Sequence, residues 1–369
     1  MATDPSRLDP RTLLPPDEPV QLLAEDGTYT ADPDWPVDLD DHQLVELYRM
    51  MVIARQVDAQ SITLQRQGQL GVYASLRGQE AAQIGSGFAL AAQDWIFPSY
   101  REMGVALVRG VEPAELLHVF RGTWLGAHDP AKHRLGLITI AIGTQALHAA
   151  GFAMAAKLDG SDACAVCYMG DGATSEGDAH EAMNFAGVFE APCVFFVQNN
   201  QYAISVPLAR QTKAPTIAHK AVGYGMPGLR CDGNDVLPSY AVMRRALEHA
   251  RGGNGPCLVE AVTYRMEAHT TADDPTRYRQ EAELDQWRSR DPIARFAAFL
   301  RERDLLDDDS EAATADAARA EAQTARAAIY DAPHGDPLEL FDHVYAEPPP
   351  RLLEQRAQLR AELEAQGTS

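Results

Sequence analysis

Residues 163–200 read ACAVCYMGDGATSEGDAHEAMNFAGVFEAPCVFFVQNN, and the order of residue types in this stretch decides the fold. The apolar run 163–168 reads as a strand buried on both faces. Gly170-Asp171-Gly172 interrupts it, the glycines permitting a tight turn and close approach of backbone to a ligand. Ser175 can cap a helix over 176–189, whose free N–H groups near the turn form a natural place for phosphate oxygens. The next run, CVFFV at 193–197, ends at Asn199-Asn200. Both motifs should therefore emerge at the same carboxyl edge of a sheet.

Outward from this unit, apolar runs alternate with helical stretches. The run 138–142 precedes a helix over 144–157, and the run 258–264 follows a helix over 240–251. Short apolar runs between helices of this length predict a parallel sheet covered on both faces, a three-layer α/β fold. From Asp41 the residues Leu44, Leu47, Tyr48, Met51 and Ala54 recur on one helical face, with Asp40 or Asp41 as the cap. Residues 1–40 hold seven of the 23 prolines and ten acidic residues against two arginines, which reads as an extended arm rather than a core element. Past 290 the chain is helical over 292–330, breaks in a Pro-rich stretch at 332–350 and ends in a charged helix at 351–365. The expected organisation is an N-terminal arm (1–40), an α/β domain (41–290) and a helical C-terminal region (291–369).

With 369 residues, 46% of them hydrophobic and 23% charged, the chain has the composition of a soluble globular protein with a full core. It contains no run of about eighteen apolar residues, so no transmembrane helix is expected. The start, MATDPSRLDPRTLLPPDEP, lacks the basic and apolar regions of a secretory signal, and the expected location is cytoplasmic. A formal net charge of −21 argues against nucleic acid and anionic membranes as partners, while leaving room for a phosphate ligand at a local positive site. Cys164 and Cys167 make a C-x-x-C, but within a strand that offset places them on opposite faces, and no second pair with ligand spacing follows. They read as buried structural thiols.

Asp171 and Asn200 would bring two side-chain oxygens together beside a phosphate-sized space. Such hard ligands suit Mg²⁺, which completes its octahedron with phosphates and water. A dinucleotide fingerprint fits poorly: the glycines run G-D-G-A-T-S-E-G rather than G-x-G-x-x-G, and a carboxylate between them would repel a bare pyrophosphate. A bridging cation removes that repulsion. Taken singly, each motif is an ordinary turn. Their joint spacing across strand, helix and strand is what carries the metal-diphosphate reading.

With these motifs the sequence resembles the alpha subunits of thiamin-diphosphate-dependent 2-oxo acid dehydrogenases, in particular actinobacterial-type branched-chain or pyruvate forms. The resemblance covers roughly residues 40–350 and runs through RGQEAA (77–82), FPSYRE (97–102), GDGATSEGDAHEAMNFA (170–186), FFVQNNQYAIS (195–205), VGYGMPGLRCDGND (222–235) and YRMEAHTTADDPTRYR (264–279). It implies a thiamin-diphosphate-binding fold in which Asp171, Asn200 and the backbone carbonyl of Tyr202 hold Mg²⁺. Gly170, Gly172 and Ala173 would border the diphosphate, with Tyr100 and Arg101 contacting it. Ile140 and Ile142 would line the bend of the cofactor, although apolar residues in such a run are core by default. His269 would contact the diphosphate and aid reductive acylation of the lipoyl group, where an isolated loop histidine would otherwise read as solvated. Thr270 occupies the place of a serine phosphorylated in mitochondrial relatives. The segment 268–279 is polar and reads as lacking apolar anchors, hence mobile until a diphosphate orders it.

Thiamin activation also needs a carboxylate on the aminopyrimidine side, and no second thiamin-type sheet domain can be read here. The resemblance therefore implies a beta subunit that supplies it, in an alpha-2 beta-2 heterotetramer serving a lipoyl-bearing transacylase core. The implied reaction is oxidative decarboxylation of a 2-oxo acid. The loop HTTADD looks more like the branched-chain form, for which 3-methyl-2-oxobutanoate is an example substrate, than the pyruvate form. An acetoin dehydrogenase, a non-catalytic cofactor-holding scaffold and a nicotinamide enzyme are the rival readings.

Overall fold

In the computed structural model, which describes residues 13–122, 128–332 and 335–367, the decisive stretch folds around two fully buried strands. Chain order gives seven strands: β1 (Trp95–Phe97), β2 (Ala165–Gly170), β3 (Cys193–Asn199), β4 (Tyr202–Ala203), β5 (Val206–Pro207), β6 (Gly228–Asp232) and β7 (Cys257–Val262). Five of them form one sheet in the order β1-β2-β3-β7-β6, every pairing parallel, while β4 and β5 make a small antiparallel hairpin. Alternate residues of the strands enter two separate cores. Val166, Tyr168, Val194 and Phe196 face one; Cys167, Met169, Phe195 and Val197 face the other. Two covered faces explain why these strands are continuous apolar runs. Cys164 and Cys167 fall in different cores, all five cysteines are free and buried, and among the described residues no group of three or more His, Cys, Asp or Glu is placed to hold a metal.

On one face the helices Thr144–Leu158 and Gly177–Val188 pack with small side chains, Ala146, Ala149, Ala153, Ala179 and Ala182 being fully buried. On the other lie Glu80–Phe88 and Val236–His249. The helix Asp41–Arg66 begins at Asp40 with a capping box: Asp40 accepts from the Gln43 backbone N–H at 2.8 Å, and Gln43 accepts from that of Asp40 at 3.0 Å. Among the described residues no helix is long and apolar enough to cross a membrane.

Three expectations need correction. Residues 138–142 are not a strand: after Leu135 bridges to Ile96 the chain leaves the sheet, and three-residue β1 is the edge instead. Ser175 does not cap the following helix. Asp171–Ser175 forms a 3₁₀ turn, and Glu176 precedes the helix without a side-chain cap. The N-terminal segment is not outside the core either. Val20 donates to the Arg230 carbonyl and accepts from the Asp232 N–H, extending the sheet beyond β6, and Leu22 and Leu23 are buried. The segment 268–279 is polar, buries no side chain fully, and is held by hydrogen bonds: Arg279 donates to the carbonyls of Arg265 and Met266, Thr271 exchanges bonds with Tyr73, and Asp273 accepts from the His269 N–H. The helices Pro292–Glu302 and Asp308–Asp331 share a core with Asp41–Arg66 through Phe296, Leu300, Ala318, Ala322, Ala325 and Ile329.

Arg295 is the buried link between the chain's two ends. It donates to the carbonyls of Leu23 and Ala24 and to Asp232, next to the buried Asp235, which accepts from the N–H groups of Leu22 and Leu23. Burial pushes Asp235 up to about 7 against the pull of Arg295. Arg295→Met should cost about 3–5 kcal/mol, the range for removing one partner of a buried pair. Below about 7 the carboxyl is protonated with or without the arginine; above it, only the parent has a cation to offset the charge. The deficit in unfolding midpoint should therefore widen as pH rises through 7, and a midpoint equal to the parent's at pH 8 would refute the link.

Candidate active site

Because β2 and β3 are parallel with Gly170 opposite Gln198, Asp171 and Asn200 leave the sheet at one edge, within one residue of the same level. A cleft of about 180 Å³ opens there, lined by residues from both turns together with Tyr100, Arg101, Ile142, Tyr202, Arg265 and His269. The two glycines of the first turn act differently from the sequence expectation. Gly170 has an ordinary φ of −82°, and a side chain there would meet open space. A Cβ on Gly172 would stand 2.6 Å from that of Ala203, so the close approach it permits is to the hairpin. Gly170, Gly172 and Ala173 all line the cleft.

Asp171 is buried, and burial pushes its carboxyl above the usual range; a hydrogen bond from Gln211, 2.5 Å from Oδ2, works in the opposite direction. The Asn200 amide stands between the Tyr202 carbonyl and the Asp171 carboxylate. Turned over, its nitrogen would donate to Tyr202 O at 3.1 Å and to Asp171 Oδ1 at 3.3 Å. The position between these oxygens calls for a positive partner. A carboxylate, an amide oxygen and a main-chain carbonyl are the hard donors that Mg²⁺ takes, so this set fits that ion.

Across the cleft the charge is reversed. Arg101 is 5% exposed and Arg265 1%. Arg101 donates to the carbonyls of Ser75 (2.6 Å) and His269 (2.9 Å), and Arg265 to those of Tyr202 (3.1 Å) and Ile204 (2.7 Å). Both guanidiniums stand 3.3 Å from His269 Nδ1, whose ring Nε2 lies 3.4 Å from the Tyr100 hydroxyl. Among the described residues neither guanidinium has a carboxylate within ion-pair distance, and the Arg265 Nε is buried without a partner. Glu102 also lines the cleft, and burial pushes it up toward the neutral form while it accepts from Ser99 and Gln198. Two buried cations held by carbonyls make a strong anion site.

Of the candidate residues, Ile140 is the one the structure leaves outside: it is 64% exposed and does not line the cleft, whereas Ile142 does. Three residues went unremarked in the sequence. Arg265 lies just past β7, four positions before His269, and that basic residue at a strand end was its only local signal. Lys220 reaches the turn from the side, donating to the Thr174 carbonyl and hydroxyl at 2.9 and 2.8 Å. Gln211 lies on a separate short helix, with no sequence signal. A cavity of about 370 Å³ lies behind the segment 266–279, but it holds neither turn motif, and its Arg77 and Arg288 are paired with surface acids.

Residues 48–337 match the family model of the dehydrogenase E1 component. The chain is 53% identical over 346 residues to the 3-methyl-2-oxobutanoate dehydrogenase subunit alpha of Mycobacterium tuberculosis, covering 94% of each chain. It is 42% identical over 339 residues to the pyruvate dehydrogenase E1 component subunit alpha of Bacillus cereus, covering 92% of this chain and 91% of the relative. With the corresponding Staphylococcus aureus protein it shares 41% over 342 residues, covering 92% and 91%.

Burial, then the charges of Arg101 and Arg265, push His269 down to about 3, so its ring is neutral at pH 7. An unfolded histidine takes up a proton near 6.5; the folded one does not until about 3. The folded state therefore loses ground to the unfolded one as pH falls from 6.5 toward 3. The His269 ring-carbon NMR shift of the cofactor-free protein should be flat from pH 8 to pH 5. His269→Asn should remove this part of the acid destabilisation, and a His269 titration midpoint near 6.5 would show that the two guanidiniums do not face the ring.

Proposed function

The chain belongs to the dehydrogenase E1 component family, as the alpha subunit of a thiamin-diphosphate-dependent 2-oxo acid dehydrogenase, and from that premise we propose that it acts in oxidative decarboxylation of a branched-chain 2-oxo acid, with Mg²⁺ joining it to the diphosphate. One observation carries the site reading. Two buried guanidiniums without an ion-pair partner share a single cleft with the Asp171 carboxylate, the Asn200 amide and the Tyr202 carbonyl. A metal diphosphate presents charges of both signs in the same order.

In this reading Asp171, the side chain of Asn200 and the carbonyl of Tyr202 hold the metal. Arg101, Arg265 and the Tyr100 hydroxyl bind the diphosphate oxygens, and Gly170 leaves room for them. His269, neutral and flanked by both arginines, donates a hydrogen bond to the same group, which fixes its ring for the later contact with the lipoyl arm. Ile142 gives the apolar wall on the thiazolium side. When bound, thiamin diphosphate supplies a nucleophilic carbon and a sink for the electrons released with CO₂. The contribution of this chain is to position, to balance charge and to exclude water.

The three layers then form the diphosphate-side half of a thiamin-diphosphate-binding fold. The described residues hold one parallel sheet, and the relatives are named as alpha subunits. A beta subunit would supply the activating carboxylate in an alpha-2 beta-2 tetramer that acylates the lipoyl groups of a transacylase core. The branched-chain assignment is supported by the higher identity with the 3-methyl-2-oxobutanoate enzyme than with the pyruvate enzymes.

Two measurements test this. Asp171→Ala should abolish Mg²⁺-dependent thiamin-diphosphate binding with the helix content unchanged, and retained binding would overturn the metal assignment. In the tetramer reconstituted with its beta subunit, decarboxylation followed with an artificial electron acceptor should run at least tenfold faster on 3-methyl-2-oxobutanoate than on pyruvate, as kcat/KM. The reverse ratio would make it a pyruvate enzyme.

A further inference from the structure

We infer that Gln211 is the positioning residue that presents the Asp171 carboxylate to the metal, an inference that rests on the magnesium-diphosphate reading of the cleft. The two oxygens of Asp171 have different surroundings. Oδ1 lies 3.3 Å from the Asn200 amide and faces the Tyr202 side of the site. Oδ2 accepts from Gln211 Nε2 at 2.5 Å. One oxygen is thereby tied back, and the other borders the Asn200 amide.

The orientation of the Gln211 amide is fixed by what surrounds it. Its nitrogen stands between two acceptors, Asp171 Oδ2 and the Val206 carbonyl at 3.0 Å. Turning the amide over would set oxygen against oxygen twice. Its own Oε1 is buried without a partner, a penalty of about 1–3 kcal/mol for such an atom. The side chain thus accepts an unsatisfied acceptor in order to keep the donor on Asp171. The residue type matters as well. A lysine here would neutralise the carboxylate and compete with the metal, and a glutamate would repel it. A neutral donor orients the group and leaves its charge to the cation.

The backbone shows how Gln211 arrives there. Leaving β3, the chain makes an excursion through the β4–β5 hairpin, closes it with a bond from Leu208 N–H to the Gln201 carbonyl at 2.9 Å, and returns on the short helix Leu208–Gln211. Gln201 (φ 77°) and Ile204 (φ 56°) adopt the left-handed conformation, costly above all for a β-branched residue. The hairpin packs so closely on the first turn that only Gly172 fits beneath Ala203. One strained loop therefore brings the Tyr202 carbonyl, beside Asn200, and the clamp on Asp171. Mg²⁺ demands near-ideal octahedral geometry, so a carboxylate free to rotate should bind it less well.

The test uses the full chain reconstituted with its beta subunit and titrates MgCl₂ at fixed thiamin diphosphate, following cofactor binding by protein fluorescence. Gln211→Leu should raise the half-saturating Mg²⁺ concentration by about 10–100-fold, the usual effect of losing such a supporting contact. Turnover should recover as Mg²⁺ is raised, a metal-requirement defect rather than a loss of kcat. Gln211→Met, similar in length and uncharged but without the donor, should show the same shift, and it serves if the leucine variant fails to fold. An unchanged Mg²⁺ requirement in both variants, or a turnover loss that excess Mg²⁺ does not relieve, overturns the role of Gln211. Asp171→Ala, run alongside, separates the two levels: if it too keeps its Mg²⁺ dependence, the metal reading itself fails.

Discussion

The parallel register of β2 against β3 is the constraint on which the site depends. Gly170 stands opposite Gln198, so the two strands end together and their following residues face each other across the edge. A slip of one residue would exchange the faces of a whole strand, sending Val166 and Tyr168 into the core that holds Cys167 and Met169. The two cores differ in shape. One is built from large side chains against the helix Glu80–Phe88, the other from alanines of the helices Thr144–Leu158 and Gly177–Val188. A strand that fits both can do so in one register, and that register sets Asp171 beside Asn200. Packing far from the cleft therefore fixes the ligand geometry within it.

Charge is the second constraint. The chain carries a net −21, yet its cleft buries two arginines. A buried cation without an offset costs several kcal/mol. Here the offset comes from main-chain carbonyls of Ser75, His269, Tyr202 and Ile204, which hold the guanidiniums in place without neutralising them. Because no carboxylate of the described residues reaches ion-pair distance of either one, the charge remains available to an anion. The same Tyr202 carbonyl that Arg265 touches also borders the oxygen set around Asp171, so the anion and cation halves of the cleft share a wall.

Much of this was legible in the residues and some was not, for identifiable reasons. The strand-turn-helix-strand unit was plain because strongly apolar runs are bounded by glycine and asparagine. The start of the helix Asp41–Arg66 was legible to within one residue, Asp40 or Asp41, because capping is local chemistry. The run 138–142 misled because Ile140 and Ile142 are apolar without being core: one is exposed and the other faces the cleft. β1 is three residues long, too short for any periodicity. Leu22 and Leu23 were hidden by the prolines and acids around them, since composition averages over a segment and burial is decided residue by residue. Arg265 and Gln211 matter through partners distant in sequence, Tyr202 and Asp171, and no local pattern announces such a partner.

The helix Asp41–Arg66 finds its packing partner in Asp308–Asp331, with Leu44 and Met51 in the same core as Ala318 and Ile329. During synthesis, the first long helix can pack early on Glu80–Phe88, but the part of its face that meets Asp308–Asp331 waits for more than two hundred further residues. Contacts of such sequence separation slow folding and prolong the exposure of sticky surface. The segment around Leu22 and Leu23 waits in the same way for Arg295. Maturation of this subunit is thus closed from its carboxyl end, and a nascent chain released early would carry an intact sheet edge but an unsealed flank.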